Sequence, residues 1–109
     1  ANSKIIIPES NRITGNIGIE YLIFEYRLNI YAEYFQNIEH NLLGLPGTKV
    51  SEIKDVYSHA QALSQCSRFI KLNNFVEHVR ADTAGSAEMV SKVKSKEKAA
   101  IASSLSAET

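Results

Sequence analysis

Neither sign of charge predominates in this 109-residue chain, cysteine occurs once, and no apolar run is long enough to cross a bilayer. Lys plus Arg and Asp plus Glu number 12 each, so no net field draws phosphate backbones or anionic lipid. Nucleic-acid binding would need a local basic patch, and none precedes the tail. A lone Cys66 excludes an internal disulfide and a multi-cysteine zinc site, and it suits a reducing compartment. With no membrane-length run and no charged-then-apolar leader, the expected location is the cytoplasm, with no membrane or nucleic-acid partner.

What is present is an ordinary globular composition, 44% hydrophobic and 22% charged, enough for one domain or one lobe of a larger one. Ile5-Ile6-Ile7, closed by Pro8, reads as a buried strand. Ile19, Leu22, Ile23 and Tyr26 follow at i, i+3, i+4 and i+7, the apolar stripe of a helix. From Leu28 to Leu43, Ile30, Ala32 and Tyr34 alternate with Asn29, Tyr31 and Glu33, which predicts an extended segment half-buried on one face. Leu45-Pro46-Gly47 marks a turn.

Two further strand-then-helix pairs are expected: Asp55–Tyr57 with His59–Leu72, and Phe75–Ala81 with Ala84–Ser95. The first helix would bury Ala62, Leu63, Cys66, Phe69 and Ile70, and the second Met89, Val90 and Val93. Lys98–Ser103 reads as another strand, and Ser104–Thr109 begins a helical pattern. No internal repeat is present, and the lysine-rich stretch from Lys92 to Lys98 suits a helix end or loop. The alternation predicts an α/β fold, a mixed or parallel sheet with flanking helices, whose ligands would sit beyond the carboxyl ends of the strands.

Three polar strand-to-helix turns are candidates for such a site: Pro8–Gly15, Tyr57–Gln61 and Asp82–Ser86. Helix starts carry unpaired N–H groups and partial positive charge, so converging starts would cradle a small carboxylate. Structural readings compete at each position. Ser58 with Gln61 fits a capping box, and Asp82 or Thr83 fits an N-cap. Ser58, Gln61 and Gln65 nonetheless share one helical face opposite Cys66, so a capped helix can still present them. Ser58 beside His59 lacks an identifiable triad partner, and His40, His59 and His78 have no ligand-like spacing, so neither hydrolase chemistry nor a metal is expected. Cys66 reads as a small core side chain.

Tyr57 to Cys66 resembles the signature S-H-P-Q-A-L-x-Q-C of the prephenate dehydratases, with Ala60 in place of the proline. Four more segments match that family in order. Pro8–Gly15 resembles P-I-E-N-S-x-x-G, and Leu28–Leu43 resembles L-x-I-x-G-E-x-x-L-x-I-x-H-x-L-L with Glu33 and His40 in place. Asp82–Ala87 resembles D-T-A-G-A-A, and Ala99–Glu108 resembles A-A-I-A-S-x-x-A-E.

The resemblance implies a lobe of a two-lobed fold similar to type II periplasmic binding proteins, with residues 1–109 forming one partial catalytic domain, mainly the second lobe. It implies a decarboxylating dehydration of prephenate to phenylpyruvate, without cofactor, on the way to phenylalanine. It assigns Asn11, Ser58 and Gln65 to the substrate cleft, with Gln61 and Thr83 at its edge. Ser10 stands where the family has an acidic residue, and Arg12 and Ile13 replace small ones. The family's T-R-F segment, whose threonine is its expected acid, would fall after Thr109, so the catalytic acid and the phenylalanine-sensing domain are expected outside these residues. The missing neighbours predict exposed seams and hence a homo-oligomer. A non-catalytic module that holds a small carboxylate, or a relic of the enzyme, is the alternative, favoured by Ser10 and Arg12.

Overall fold

The computed structural model describes residues 19–103. The strand expected at Ile5–Ile7, the turn from Pro8 to Gly15 with Asn11, and the helix expected after Ser103 lie outside the described residues.

The first apolar stripe forms α1 (Ile19–Tyr26), with Ile19 and Leu22 buried as the spacing predicts. Its end is fixed by backbone geometry. Arg27 adopts the left-handed conformation at φ 56°, and the Leu28 N–H donates to the Ile23 carbonyl at 3.1 Å, a Schellman stop. Leu28 is buried beside Ile23, so the same stop directs the chain into the sheet.

The single extended segment expected from Leu28 to Leu43 is instead a hairpin, β1 (Asn29–Gln36) and antiparallel β2 (Ile38–Gly44), turning at Asn37 with φ 68°. Asparagine is one of the few non-glycine residues that reach this region at low cost, and it turns the chain without glycine or proline. A register shift between Ile30 and Ala32 changes the pleat. Ala32 and Tyr34 pack on one core cluster and Ile30 on the other, against the expected common face.

The predicted turn at Pro46-Gly47 is present: Thr48 N–H donates to the Leu45 carbonyl at 3.2 Å, and Gly47 takes φ 83°. The Tyr31 hydroxyl donates to that carbonyl at 2.5 Å and ties the turn to β1.

The remaining elements are β3 (Asp55–Ser58), α2 (Ala60–Gln65), α3 (Ser67–Leu72), β4 (Val76–Val79), α4 (Thr83–Val93) and β5 (Lys98–Ser103). The one helix expected over His59–Leu72 is two, because Cys66 leaves helical geometry at ψ 15°. Its N–H is shared between the Ala62 and Leu63 carbonyls at 3.0 and 3.2 Å, a three-centre bond common at helix ends. The apolar side survives the break, with Ala62, Leu63, Cys66 and Ile70 all buried. A second Schellman stop, with Asn74 at φ 58° and Phe75 N–H on the Ile70 carbonyl at 3.0 Å, launches β4. In α4, Val90 is buried and Met89 half-buried, but Val93 is 43% exposed rather than inward, since it lies in the last turn.

The strands order as β1-β2-β5-β3-β4, antiparallel across β1-β2-β5 and parallel across β5-β3-β4. The fold is therefore the expected mixed α/β sheet. One face packs Leu42, Val56 and Ile101 beneath Leu63, Cys66 and Ile70 of α2 and α3. The other packs Leu43, Ala100 and Ala102 against Leu22 of α1 and Ala87 and Val90 of α4. Each buried Leu, Ile or Val among these contributes about 1.5–3 kcal/mol relative to exposure. Exposed pairs such as Lys54 with Glu97, at 3.8 Å, contribute far less. No helix among the described residues is long and apolar enough to cross a membrane.

At the amino ends of the parallel strands a polar group links three of them. His78 Nε2 lies 2.8 Å from Asp55 Oδ1, Lys98 Nζ donates to the Tyr57 hydroxyl at 3.0 Å and lies 3.6 Å from Asp55 Oδ2, and the Tyr57 and His78 rings stack at 4.6 Å. The hydrogen bond from His78, aided by Lys98, holds the Asp55 carboxyl below its ordinary value. A depressed folded-state value means that Asp55 stabilises the fold above the unfolded carboxylate range, about pH 4, and that this contribution is lost as pH falls through the folded value. Urea unfolding from neutral to acid pH should therefore show a steeper loss of stability in the parent than in Asp55→Asn. Arg27→Gly, which removes the left-handed strain of a side-chain-bearing residue, should raise unfolding stability by about 1 kcal/mol.

Candidate functional site

The chain runs from β3 outward to β4 and then back past β3 to β5, so the strand order reverses between β3 and β5. Helices α2 and α3 follow β3 on one face, and α4 precedes β5 on the other. The carboxyl ends of β3 and β5 thus flank a topological switch point, where open α/β sheets bind ligands. Ser58 closes β3 and Ser103 closes β5; His40, near the start of β2, pairs with Ser103. Asn41 Nδ2 donates to the Ala102 carbonyl at 3.1 Å and fastens this corner.

Ser58 is fully buried and its hydroxyl donates to the Ile101 carbonyl at 2.7 Å. It is not the helix cap. His59 takes that role, with Nδ1 accepting the Ala62 N–H at 3.3 Å. The S-x-x-Q spacing suggested a capping box, but the Ser58 carbonyl accepts the Arg80 N–H at 2.8 Å and keeps the residue in the sheet, where a cross-strand carbonyl takes its hydroxyl. Ser58 therefore does not share a helical face with Gln61, which is exposed, and Gln65, which is half-buried.

At the next turn, Asp82 is the cap and Thr83 the first helical residue. Asp82 Oδ1 accepts the Gly85 N–H at 2.5 Å, and a side chain at Gly85 would bring its Cβ to 2.7 Å from that oxygen, so glycine allows the close approach. Thr83 is fully buried and its hydroxyl has no hydrogen-bond partner. It opens the helix that covers the face opposite α2, so it reaches the strand ends from the other side of the sheet. Cys66 is buried, and burial pushes its thiol up to about 11, which suits a core side chain and not a nucleophile. Asn11 lies outside the described residues.

Two residues stand out that spacing alone did not single out. The register places Tyr34, His40 and Ser103 side by side across β1, β2 and β5. Within that row His40 is 2% exposed and neither ring nitrogen has a hydrogen-bond partner. Burial lowers its affinity for a proton; the neighbouring Gln65 side chain opposes that shift, and His59 adds to it. His40 lines a narrow gap with Tyr34, Cys66 and Phe69 that leaves no room for a water molecule. A buried donor or acceptor left unpaired costs about 1–3 kcal/mol.

Gln65 also walls an open depression of about 310 Å³ with Tyr34, Gln36 and Arg68. Arg68, three residues after Gln65, brings a cation to it, and that i, i+3 spacing was the available signal. The edge offers amide, hydroxyl and guanidinium donors, which suit a carboxylate ligand. Among the described residues no group of three or more His, Cys, Asp or Glu side chains could hold a metal ion.

Residues 2–109 match the family model described as prephenate dehydratase. A bifunctional N-acyl-homoserine lactone acylase/prephenate dehydratase of Komagataeibacter europaeus is 38% identical over 99 residues, 90% of this chain and 35% of that protein. Arogenate dehydratase/prephenate dehydratase 1 of Arabidopsis thaliana is 42% identical over 91 residues, 81% of this chain and 23% of that protein. The solved prephenate dehydratase of Staphylococcus aureus superposes with a TM-score of 0.52 at 26% identity, over 99% of this chain and 37% of that one. The chain belongs to the prephenate dehydratase family, and it spans between about a quarter and two fifths of the length of these relatives.

Ser58→Ala should remove the bond to the Ile101 carbonyl and lower unfolding stability by about 1–2 kcal/mol in urea or thermal denaturation. A loss within error would show that this hydroxyl does not help hold β3 to β5.

Proposed function

We propose that this family member supplies one wall of the substrate cleft for the decarboxylating dehydration of prephenate to phenylpyruvate, with residues 1–109 as one partial catalytic domain, mainly the second lobe. The observation that carries the proposal is Gln65 on an open depression beside Arg68, within the segment Ser58–Cys66 that resembles the family signature.

Prephenate bears two carboxylates and a ring hydroxyl. Loss of carbon dioxide from one carboxylate and departure of the protonated hydroxyl as water leave an aromatic ring. The protein's task is to place donors on the retained carboxylate, exclude water, and supply one acid. Gln65 and Arg68 serve as carboxylate donors in this reading, Asn11 completes the cleft, and Gln61 and Thr83 border it. The reading places the reaction in the cytoplasm, which suits the unpaired Cys66.

A second reading, a non-catalytic module holding a small carboxylate, is favoured by Ser10 and Arg12 in the cleft motif and by the Ser58 hydroxyl being already engaged. Exposed Phe24 and Leu72, 82% and 80% accessible, support self-association, which sedimentation tests by a mass above that of one chain.

The full-length protein should convert prephenate to phenylpyruvate in an absorbance assay, with arogenate tested alongside because plant relatives bear that name. Residues 1–109 alone should be slower by at least about 10²–10⁴-fold, the scale of a lost general acid. Gln65→Ala should raise KM about tenfold, the scale of one hydrogen bond to a charged group. Binding of prephenate without turnover by the full-length protein would favour the second reading.

A further inference from the structure

His40 is the most constrained polar side chain at this edge. It is buried to 2% exposure, pairs with Tyr34 on one side and Ser103 on the other, and has no partner on either ring nitrogen. A neutral imidazole carries one N–H donor and one acceptor. The gap against it is too narrow for water, so a solvent molecule cannot satisfy either group. A hydrogen-bonding contact from Gln65 raises the ring's affinity for a proton although its geometry falls short of a full hydrogen bond, and His59 acts against it. His59 already accepts the Ala62 N–H through Nδ1 as the cap of α2, and that bond orients its ring. Gln65, on the last turn of the same helix, is the side chain whose hydrogen-bonding contact reaches His40.

Gln65 has two chemically opposite ends, a carbonyl oxygen and an amide NH₂. A carboxylate ligand needs the NH₂. We propose that His40 is a positioning residue: its ring N–H donates to Gln65 Oε1 when the depression is occupied, which turns the Gln65 amide so that its NH₂ faces the ligand carboxylate. The proposal rests on the reading of Gln65 as a cleft residue. The carbonyl end meets the ring donor beneath it, and the contact that Gln65 already makes to the ring is tightened. A water-free setting strengthens the bond and fixes its direction. Burial lowers the ring's affinity for a proton and so favours the neutral imidazole, in which donor and acceptor are distinct.

Steady-state kinetics on the full-length protein with prephenate test this. His40→Phe keeps a planar ring without the donor, and it should raise KM about tenfold while kcat changes less than threefold. His40→Gln, which keeps an amide donor at similar reach, should recover most of the loss. The double variant His40→Phe/Gln65→Ala should be no worse than Gln65→Ala alone, because the two act through one bond. Additive losses, or an unchanged KM in His40→Phe, would overturn the inference while leaving a Gln65→Ala defect to support the cleft reading. An unchanged KM in Gln65→Ala would overturn the cleft reading itself.

Should His40→Phe fail to fold, ¹⁵N NMR of the histidine rings in the parent and in Gln65→Ala, each saturated with phenylpyruvate, decides the matter. A slowly exchanging His40 ring N–H that is lost in Gln65→Ala supports the inference, and identical His40 ring signals in both overturn it.

Discussion

The structure depends on the insertion of β5 between β2 and β3. This strand is antiparallel to β2 and parallel to β3, and Ala99 through Ser103 are all buried. Its sequence, Lys-Ala-Ala-Ile-Ala-Ser, has one large apolar residue, Ile101, facing α2 and α3, and small residues on the other side where α1 and α4 pack. Small side chains let helices approach both faces of a central strand without overpacking. Placing β5 beside β3 rather than beyond β4 also reverses the strand order.

The two ends of the parallel strands differ in how their polar groups are satisfied. At the amino end, Asp55, Tyr57, His78 and Lys98 meet one another's hydrogen-bonding needs. At the carboxyl end, Ser58 and Asn41 are bonded to carbonyls of β5, whereas His40 and Thr83 are buried without partners. Unpaired buried groups are unfavourable for folding alone, and the Thr48 hydroxyl, after β2, is another among the described residues.

Much of the fold was legible because its signals are local. The stripe Ile19-Leu22-Ile23-Tyr26, the Pro46-Gly47 turn and the apolar side of Ala62 to Ile70 are patterns that burial enforces directly. The hairpin was not legible, since Asn37 turns the chain without glycine or proline and the shift at Tyr31 breaks the alternation that a strand reading uses. Ser58 was misread as a cap because its decisive partner, the Ile101 carbonyl, is 43 residues away. His40 lay inside a matched motif, but only register across three strands shows that it is buried beneath Gln65. Family identity was legible from five ordered segments, while the positions of their side chains depended on the sheet.

Mapping where a substrate-like carboxylate binds tests the central claim most directly. Titration of phenylpyruvate into the ¹⁵N-labelled full-length protein should shift the amide signals of Ser58, Gln65, Arg68 and Ser103, and the side-chain amide of Gln65. Shifts concentrated instead at Asp55, His78 and Lys98, or none at saturating ligand, would contradict the assignment of the carboxyl end as the binding edge.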